Sequence, residues 1–175
     1  MINKILLAVD GSRNAQRAID IAAELTGNLN SELFILHVLM HGRPAAELVR
    51  MAEVEHLVKE TQSVVSPGTA YVPRSYPELL SGDATDSRTA KIIAALGEQI
   101  VVRAKALCAE KGAKTIETSV RSGDYAEEIL KSAAQFKVDM IVIGSRGLGA
   151  FKGTVLGSVS QKVLHYAPCS VLAVR

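Results

Sequence analysis

Gly144-Ser-Arg-Gly147-Leu-Gly-Ala-Phe-Lys-Gly-Thr-Val-Leu-Gly157-Ser158 is the stretch of this chain with the clearest chemistry. It follows the apolar run 138–143 and precedes Val159-Ser-Gln-Lys-Val-Leu164, so it reads as strand, glycine-rich loop and helix start. Such a junction brings bare backbone N–H groups and a positive helix end close to phosphate. A side chain at the glycine positions would hold the phosphate away or forbid the turn. The spacing, Gly-x2-Gly-x9-Gly-Ser, is neither the P-loop pattern nor the dinucleotide GxGxxG. Ser158 and Ser160 add hydroxyl donors, and Arg146 and Lys152 are cations that either meet phosphate or stay solvated. The plain alternative is a flexible linker with Ser158 as an ordinary helix N-cap.

Asp10 is the second chemical candidate. It stands where the first apolar run ends and the first helix has not begun. A carboxylate there either accepts from ribose hydroxyls or caps the helix; the glycine loop tips the reading to ribose. No catalytic set emerges. His37 lies inside an apolar run and reads as a satisfied core histidine, and Asp124, Glu127 and Glu128 suit the first turn of a helix. His37, His41, His56 and His165 have no metal-ligand spacing with Cys108 and Cys169, which read as reduced core thiols.

The elements that must position these residues follow from periodicity. Runs at 3–9 and 32–39 are apolar on both faces, as in strands of a parallel sheet covered by helices on each side. Between them Ser12 caps a helix with Ala15, Ala18, Ile19, Ile21, Ala22 and Leu25 at helical spacing, and Gly27 is its expected stop. Residues 44–65 carry a further helical pattern, and 66–87, with Pro67, Pro73 and Pro77, read as a loop or flap. A long helix over 87–111 presents Ile92, Ile93, Leu96, Ile100, Val101, Ala104, Leu107 and Cys108 on one face, with Gly112 as C-cap. Gly97 inside it costs about 1 kcal/mol relative to alanine. An alternating strand at 114–120 suits a sheet edge. Then come a helix from Asp124 with Ala126, Ile129, Leu130, Ala133 and Ala134 inward, a strand at 138–143, the glycine loop, a helix at 158–166 and a strand at 169–174. This alternation predicts an α/β fold with a mostly parallel sheet. Ligands in such folds gather beyond the C-terminal strand ends where strand order reverses. Asp10, the end of the second strand and the glycine loop converge there.

Composition narrows the classes. At 175 residues, 48% of them apolar, the chain is expected to form one domain with a single core. A net charge of +2 with scattered basic residues excludes a nucleic-acid footprint. No apolar run approaches the roughly 20 residues of a membrane span. The N-terminal run is too short for a signal sequence, so a cytoplasmic location is expected.

Lys4-Ile-Leu-Leu-Ala-Val-Asp10-Gly-Ser12, Leu36-His-Val38, the loop Gly144-x2-Gly147-x9-Gly157-Ser158 and the ending Val163-Leu-His-Tyr-Ala-Pro168-Cys169-Ser-Val-Leu-Ala-Val174 together resemble the universal stress protein family. The resemblance spans essentially the whole chain, best over 1–40 and 88–175. It implies an open five-stranded parallel sheet, order 3-2-1-4-5, with helices on both faces. It implies a homodimer through the last strand, Val171 to Val174. The loop matches the ATP-binding subgroup. By resemblance Asp10 contacts ribose, the backbones of Ala8 and Val38 border the adenine, Ile143, Gly144 and Gly147 line the nucleotide, and Gly157, Ser158 and Val159 hold the phosphates. The resemblance also allows Mg²⁺ beside the phosphates. The segment 42–87 departs from the family by its length and would be an insertion.

The function expected on these grounds is a stress-response regulator in which ATP occupancy acts as a switch, with slow hydrolysis at most. A nucleotide-free dimeric adaptor of the same fold is the alternative. An enzyme that adenylylates a substrate lacks a second acidic or histidine motif.

Overall fold

The computed structural model describes residues 1–39, 87–148 and 155–175. The described elements are β1 (Lys4–Ala8), α1 (Arg13–Leu29), β2 (Glu32–Leu39), α2 (Ser87–Glu110), β3 (Thr115–Ser122), α3 (Tyr125–Phe136), β4 (Met140–Gly144), α4 (Ser158–Tyr166) and β5 (Ser170–Val174). All four strand pairings are parallel, in the order β3-β2-β1-β4-β5. The fold is the doubly wound, Rossmann-like α/β sheet expected from the sequence. Sequence order reverses between β1 and β4, whose C-terminal ends pair as Ala8 with Ile143.

Strand side chains alternate between two layers. Leu33, Ile35 and Leu39 of β2 join Ile5, Leu7 and Val9 under α1 and α2, against Ala18, Ala22, Leu96, Val101 and Cys108. Leu6, Ala8, Leu36 and Val38 face the other way, with Ile141 and Ile143, onto Ala126, Ile129 and Ala133 of α3 and Val163 of α4. The central strands are therefore apolar on both faces. The alternating β3 lies at the sheet edge, half-buried to exposed along its length.

Several boundaries differ from the periodic reading. Helix α1 runs through Gly27 and stops at Asn30, which takes the left-handed conformation (φ 52°) and donates its backbone N–H to Thr26. Asparagine tolerates that region, so it ends the helix where glycine did not. In α3 it is Ser132 that turns inward, its hydroxyl donating 2.6 Å to the Glu128 carbonyl, whereas Ala134 is exposed and Leu130 half-buried. Gly112 is the expected terminator of α2, with φ 96°. The Ala113 N–H reaches back to the Cys108 carbonyl at 3.1 Å. Ile92 and Ile93 lie outside the described side chains. The insertion expected at 42–87 lies outside the described residues except for Ser87, which begins α2.

Gly97 has a packing reason. A Cβ there would lie 3.1 Å from Cδ2 of His37 and 3.3 Å from Val120. The helix gives up alanine's propensity so that it can lie close on β2 and β3.

Strand β4 begins two residues later than its apolar pattern, because Asp139 is used as a clip. Its carboxylate accepts from the backbone N–H groups of Asn3 (2.7 Å) and Lys4 (3.0 Å), and its own N–H donates to Lys4 O at 2.9 Å. The Asn3 N–H, then the Lys4 N–H, hold this carboxyl below the usual carboxylate range. A depressed carboxylate stabilises the fold fully above its unfolded pKa, roughly 4, and loses that contribution as pH falls through the lower folded value. Asp139→Asn keeps an acceptor but removes the titration. Its urea midpoint is expected to change less than wild type between pH 5 and pH 2, and an unaltered acid limb would show that the clip carries no pH dependence.

Cys108 is fully buried and its thiol is pushed up to about 11, chiefly by burial and then by Asp20. Cys169 is half-buried and raised mainly by burial. Both are free thiols, as their apolar contexts predicted.

Candidate functional site

The site is built at the point where strand order reverses. Asp10 follows β1, and Gly11 turns the chain into α1 with φ 80°, a conformation that L side chains rarely adopt. The turn lets the Asp10 carboxylate accept from the Ser12 N–H at 3.0 Å. The cap of α1 is Ser12, whose hydroxyl accepts from Ala15 N at 3.1 Å. Asp10 is therefore not the cap. Its other oxygen accepts from the Leu148 N–H at 3.2 Å, across 138 residues of sequence. One carboxylate joins the end of β1 to the start of the glycine loop, and each oxygen keeps a lone pair for another donor.

Gly144 ends β4 directly against the start of α1. A Cβ there would meet Asn14 C, Asn14 Cβ and Ala15 N, each at 3.1 Å. Ser145 then ties the loop to α4: its carbonyl accepts from Gly157 N at 2.8 Å and from the Ser160 hydroxyl at 2.7 Å. Ser160 is 2% exposed and its hydroxyl points back into the fold, so it offers no donor to a ligand, contrary to the sequence reading. Arg146 is half-buried, and its Nε is buried with no hydrogen-bond acceptor.

Gly157 is the N-cap of α4, with an ordinary extended backbone (φ −78°, ψ 161°) and no capping side chain. Ser158 is thus the first helical residue rather than the cap, and it is exposed. Helices α1 and α3 carry side-chain caps, from Ser12 and Asp124; α4 does not. A Cβ at Gly157 would find Arg146 Cα at 3.5 Å, Ser145 O at 3.7 Å and Ser160 Oγ at 3.7 Å, all ordinary contacts. Among the described residues, neither dihedral strain nor a collision with an added Cβ accounts for glycine at this position.

The other expected residues lie toward the C-terminal ends of β1, β2 and β4, in the turn after β4 and at the start of α4. Ala8, Val38 and Ile143 are buried on the layer shared with α3 and α4. Ala8 pairs with Leu36 on one side and Ile143 on the other. Gly147 is half-buried in the turn after β4, and Val159 packs at the edge of the α4 layer. Gly149, Lys152 and Gly153 lie outside the described residues. Periodicity missed Leu148, because the partner it offers is a backbone N–H. It also missed Gly11, although glycine after a strand-terminal aspartate is itself a turn signal.

Chemically, the arrangement combines a helix N-terminus without a side-chain cap, able to donate to phosphate, and a strand-end carboxylate able to accept from a hydroxyl; the unpartnered Arg146 Nε is itself buried. Among the described residues no group of three or more His, Cys, Asp or Glu side chains comes together to hold a metal ion. Nor is any described helix long and apolar enough to cross a membrane.

Fold and site together define a doubly wound α/β protein in which the Asp10 carboxylate meets the start of the glycine loop at the strand-order reversal. The family model described as "Universal stress protein family" matches residues 1–175, and the chain belongs to that family. Universal stress protein YxiE of Bacillus subtilis is 37% identical over 175 residues, covering 100% of both chains. Universal stress protein UspA from Lactobacillus plantarum has a similar fold: TM-score 0.70 at 21% identity, over 99% of this chain and 98% of that one. So does the universal stress protein from Archaeoglobus fulgidus in complex with dAMP, with TM-score 0.59 at 19% identity over 100% of this chain and 98% of that one.

Proposed function

We propose that this protein binds an adenine nucleotide, ATP in the first instance, at the cleft between β1 and β4, and that occupancy acts as a regulatory switch in a stress response. The observation that carries this reading is Gly157. Among the described residues an added Cβ there meets only ordinary contacts, the helix it opens lacks a side-chain cap, and a ligand approaching that helix end needs the space a side chain would fill. The Archaeoglobus relative holding dAMP supports the adenine class.

In this reading Asp10 takes the ribose, Ala8 and Val38 border the base, and Ile143, Gly144 and Gly147 line the nucleotide. The N–H groups of Ser158 and Val159, behind Gly157, hold the phosphates, and Mg²⁺ accompanies them. Turnover in this reading is slow at most. The whole chain acts as one cytoplasmic domain. It pairs with a second copy through β5, whose edge position leaves Val171, Leu172 and Ala173 only half-buried.

The test is calorimetric titration of ATP, with and without Mg²⁺, into nucleotide-stripped protein. Saturable binding with one site per chain is expected; a folded protein that binds neither ATP nor AMP would remove the proposal. Ser158→Asp places a negative charge at the helix N-terminus. It should weaken ATP by about tenfold or more through like-charge repulsion and AMP by less, since AMP carries fewer phosphates. Equal losses for the two nucleotides would take Ser158 away from the phosphates.

One observation favours a second reading. Asp10 already has a structural task, receiving Ser12 and Leu148, which a nucleotide-free dimeric adaptor of the same fold would also need. Failure of the titration would select that reading.

A further inference from the structure

Asp10 can serve the cleft only if the chain leaves β1 in one direction. The β1–β2 ladder ends with the Val9 N–H donating to Leu36 O at 2.9 Å. The next acceptor, the Val9 carbonyl, is taken by a side chain: Nδ1 of His37 lies 2.7 Å from it. A carbonyl only accepts, so Nδ1 carries the proton. His37 is 2% exposed, and Gly97 of α2 leaves the room in which its ring sits.

We infer that His37 is a positioning residue of the cleft, holding the Val9 carbonyl so that Asp10 meets the glycine loop. The reason is the planarity of the peptide unit. The Val9 C=O, the Asp10 nitrogen and the Asp10 Cα lie in one plane, so a bond that aims the carbonyl also aims the bond into Asp10. The next residue, Gly11, is the most pliable in the turn and does not correct an error there. The Asp10 carboxylate bridges to Leu148 at 3.2 Å, a hydrogen bond with little distance to lose. A buried imidazole on the α2 layer thereby sets the geometry of a loop that starts from β4. In its bearing on ligand affinity the inference rests on the nucleotide reading above; in its bearing on Asp10 and Leu148 it does not.

Positioning and mere packing predict opposite orders for two variants. The side-chain amide of His37→Asn places an N–H near the position of Nδ1, whereas His37→Leu keeps apolar volume and loses the donor. Amide exchange of Leu148 and Ser12, followed by NMR on the nucleotide-free protein, reads the Asp10 bridges directly. In His37→Leu, exchange at Leu148 should accelerate by about tenfold, the scale of one lost hydrogen bond, while the amides of Leu6 and Ile35 stay protected. His37→Asn should restore Leu148 toward the wild-type rate, and ATP affinity should follow the same order. Wild-type exchange at Leu148 in His37→Leu, or a leucine variant that outperforms asparagine, overturns the inference. If His37→Leu does not fold, Gly97→Ala displaces the ring without removing it. Faster Leu148 exchange there supports the inference and unchanged exchange refutes it. A wild-type protein that binds no nucleotide ends the nucleotide reading, while the exchange data still decide the role of His37.

Discussion

Gly157→Val is expected to abolish nucleotide binding in a protein that remains folded. The first atom of the new side chain meets only ordinary contacts, the nearest at 3.5 Å, and the backbone at Gly157 is already in a region any residue adopts. Valine in place of glycine at the N-cap costs the helix roughly 1 kcal/mol or less, a shift of a few degrees in Tm for a chain of this size. A phosphate seated on the first N–H groups of α4 would instead be displaced outright. ATP affinity should therefore fall by about 100-fold or more, equivalent to roughly 2.7 kcal/mol. Calorimetry and a thermal melt on the same sample check both halves. Unchanged affinity would place the phosphates elsewhere. A collapse in Tm would mean that the fold needs glycine there after all, and the observation carrying the functional proposal would be gone.

Gly144→Val should do the reverse, destabilising the fold itself. A Cβ at Gly144 would sit 3.1 Å from three atoms of Asn14 and Ala15, two of them backbone. Helix α1 is held there by its Ser12 cap and β4 by pairing with β1 and β5, so neither side yields cheaply. Overpacking of this kind costs about 3 kcal/mol, or roughly 10 °C in Tm. Binding is expected to suffer as a consequence, because the gap that must open lies beside the Asp10 and Leu148 bridge. A Gly144→Val protein melting with wild type would show that α1 moves aside freely. The two glycines of one motif thus separate by physical cause: a Cβ at Gly144 collides with α1, whereas a Cβ at Gly157 meets only ordinary contacts.

The sequence by itself determined the layers of this protein and the segments that meet at its cleft. Runs apolar on both faces are possible only in strands covered from both sides, and the alternating 114–120 run belongs at an edge, where the structure places it. Ser12 and Gly112 were legible as helix boundaries because capping is a local interaction between residues three to five apart. The 3-2-1-4-5 order was legible only through the family resemblance, since nothing in a strand's periodicity names its neighbours. What the tertiary structure alone decided are the interactions across long sequence distances: the Asp139 clip on β1, the Asp10 bridge to Leu148, the His37 bond to Val9 and the space that Gly97 leaves for that ring. Each joins a side chain to a backbone group or to empty volume, and neither has a residue type. A backbone N–H looks the same at every position of the sequence, so which one a carboxylate finds is settled only when the strands are laid side by side.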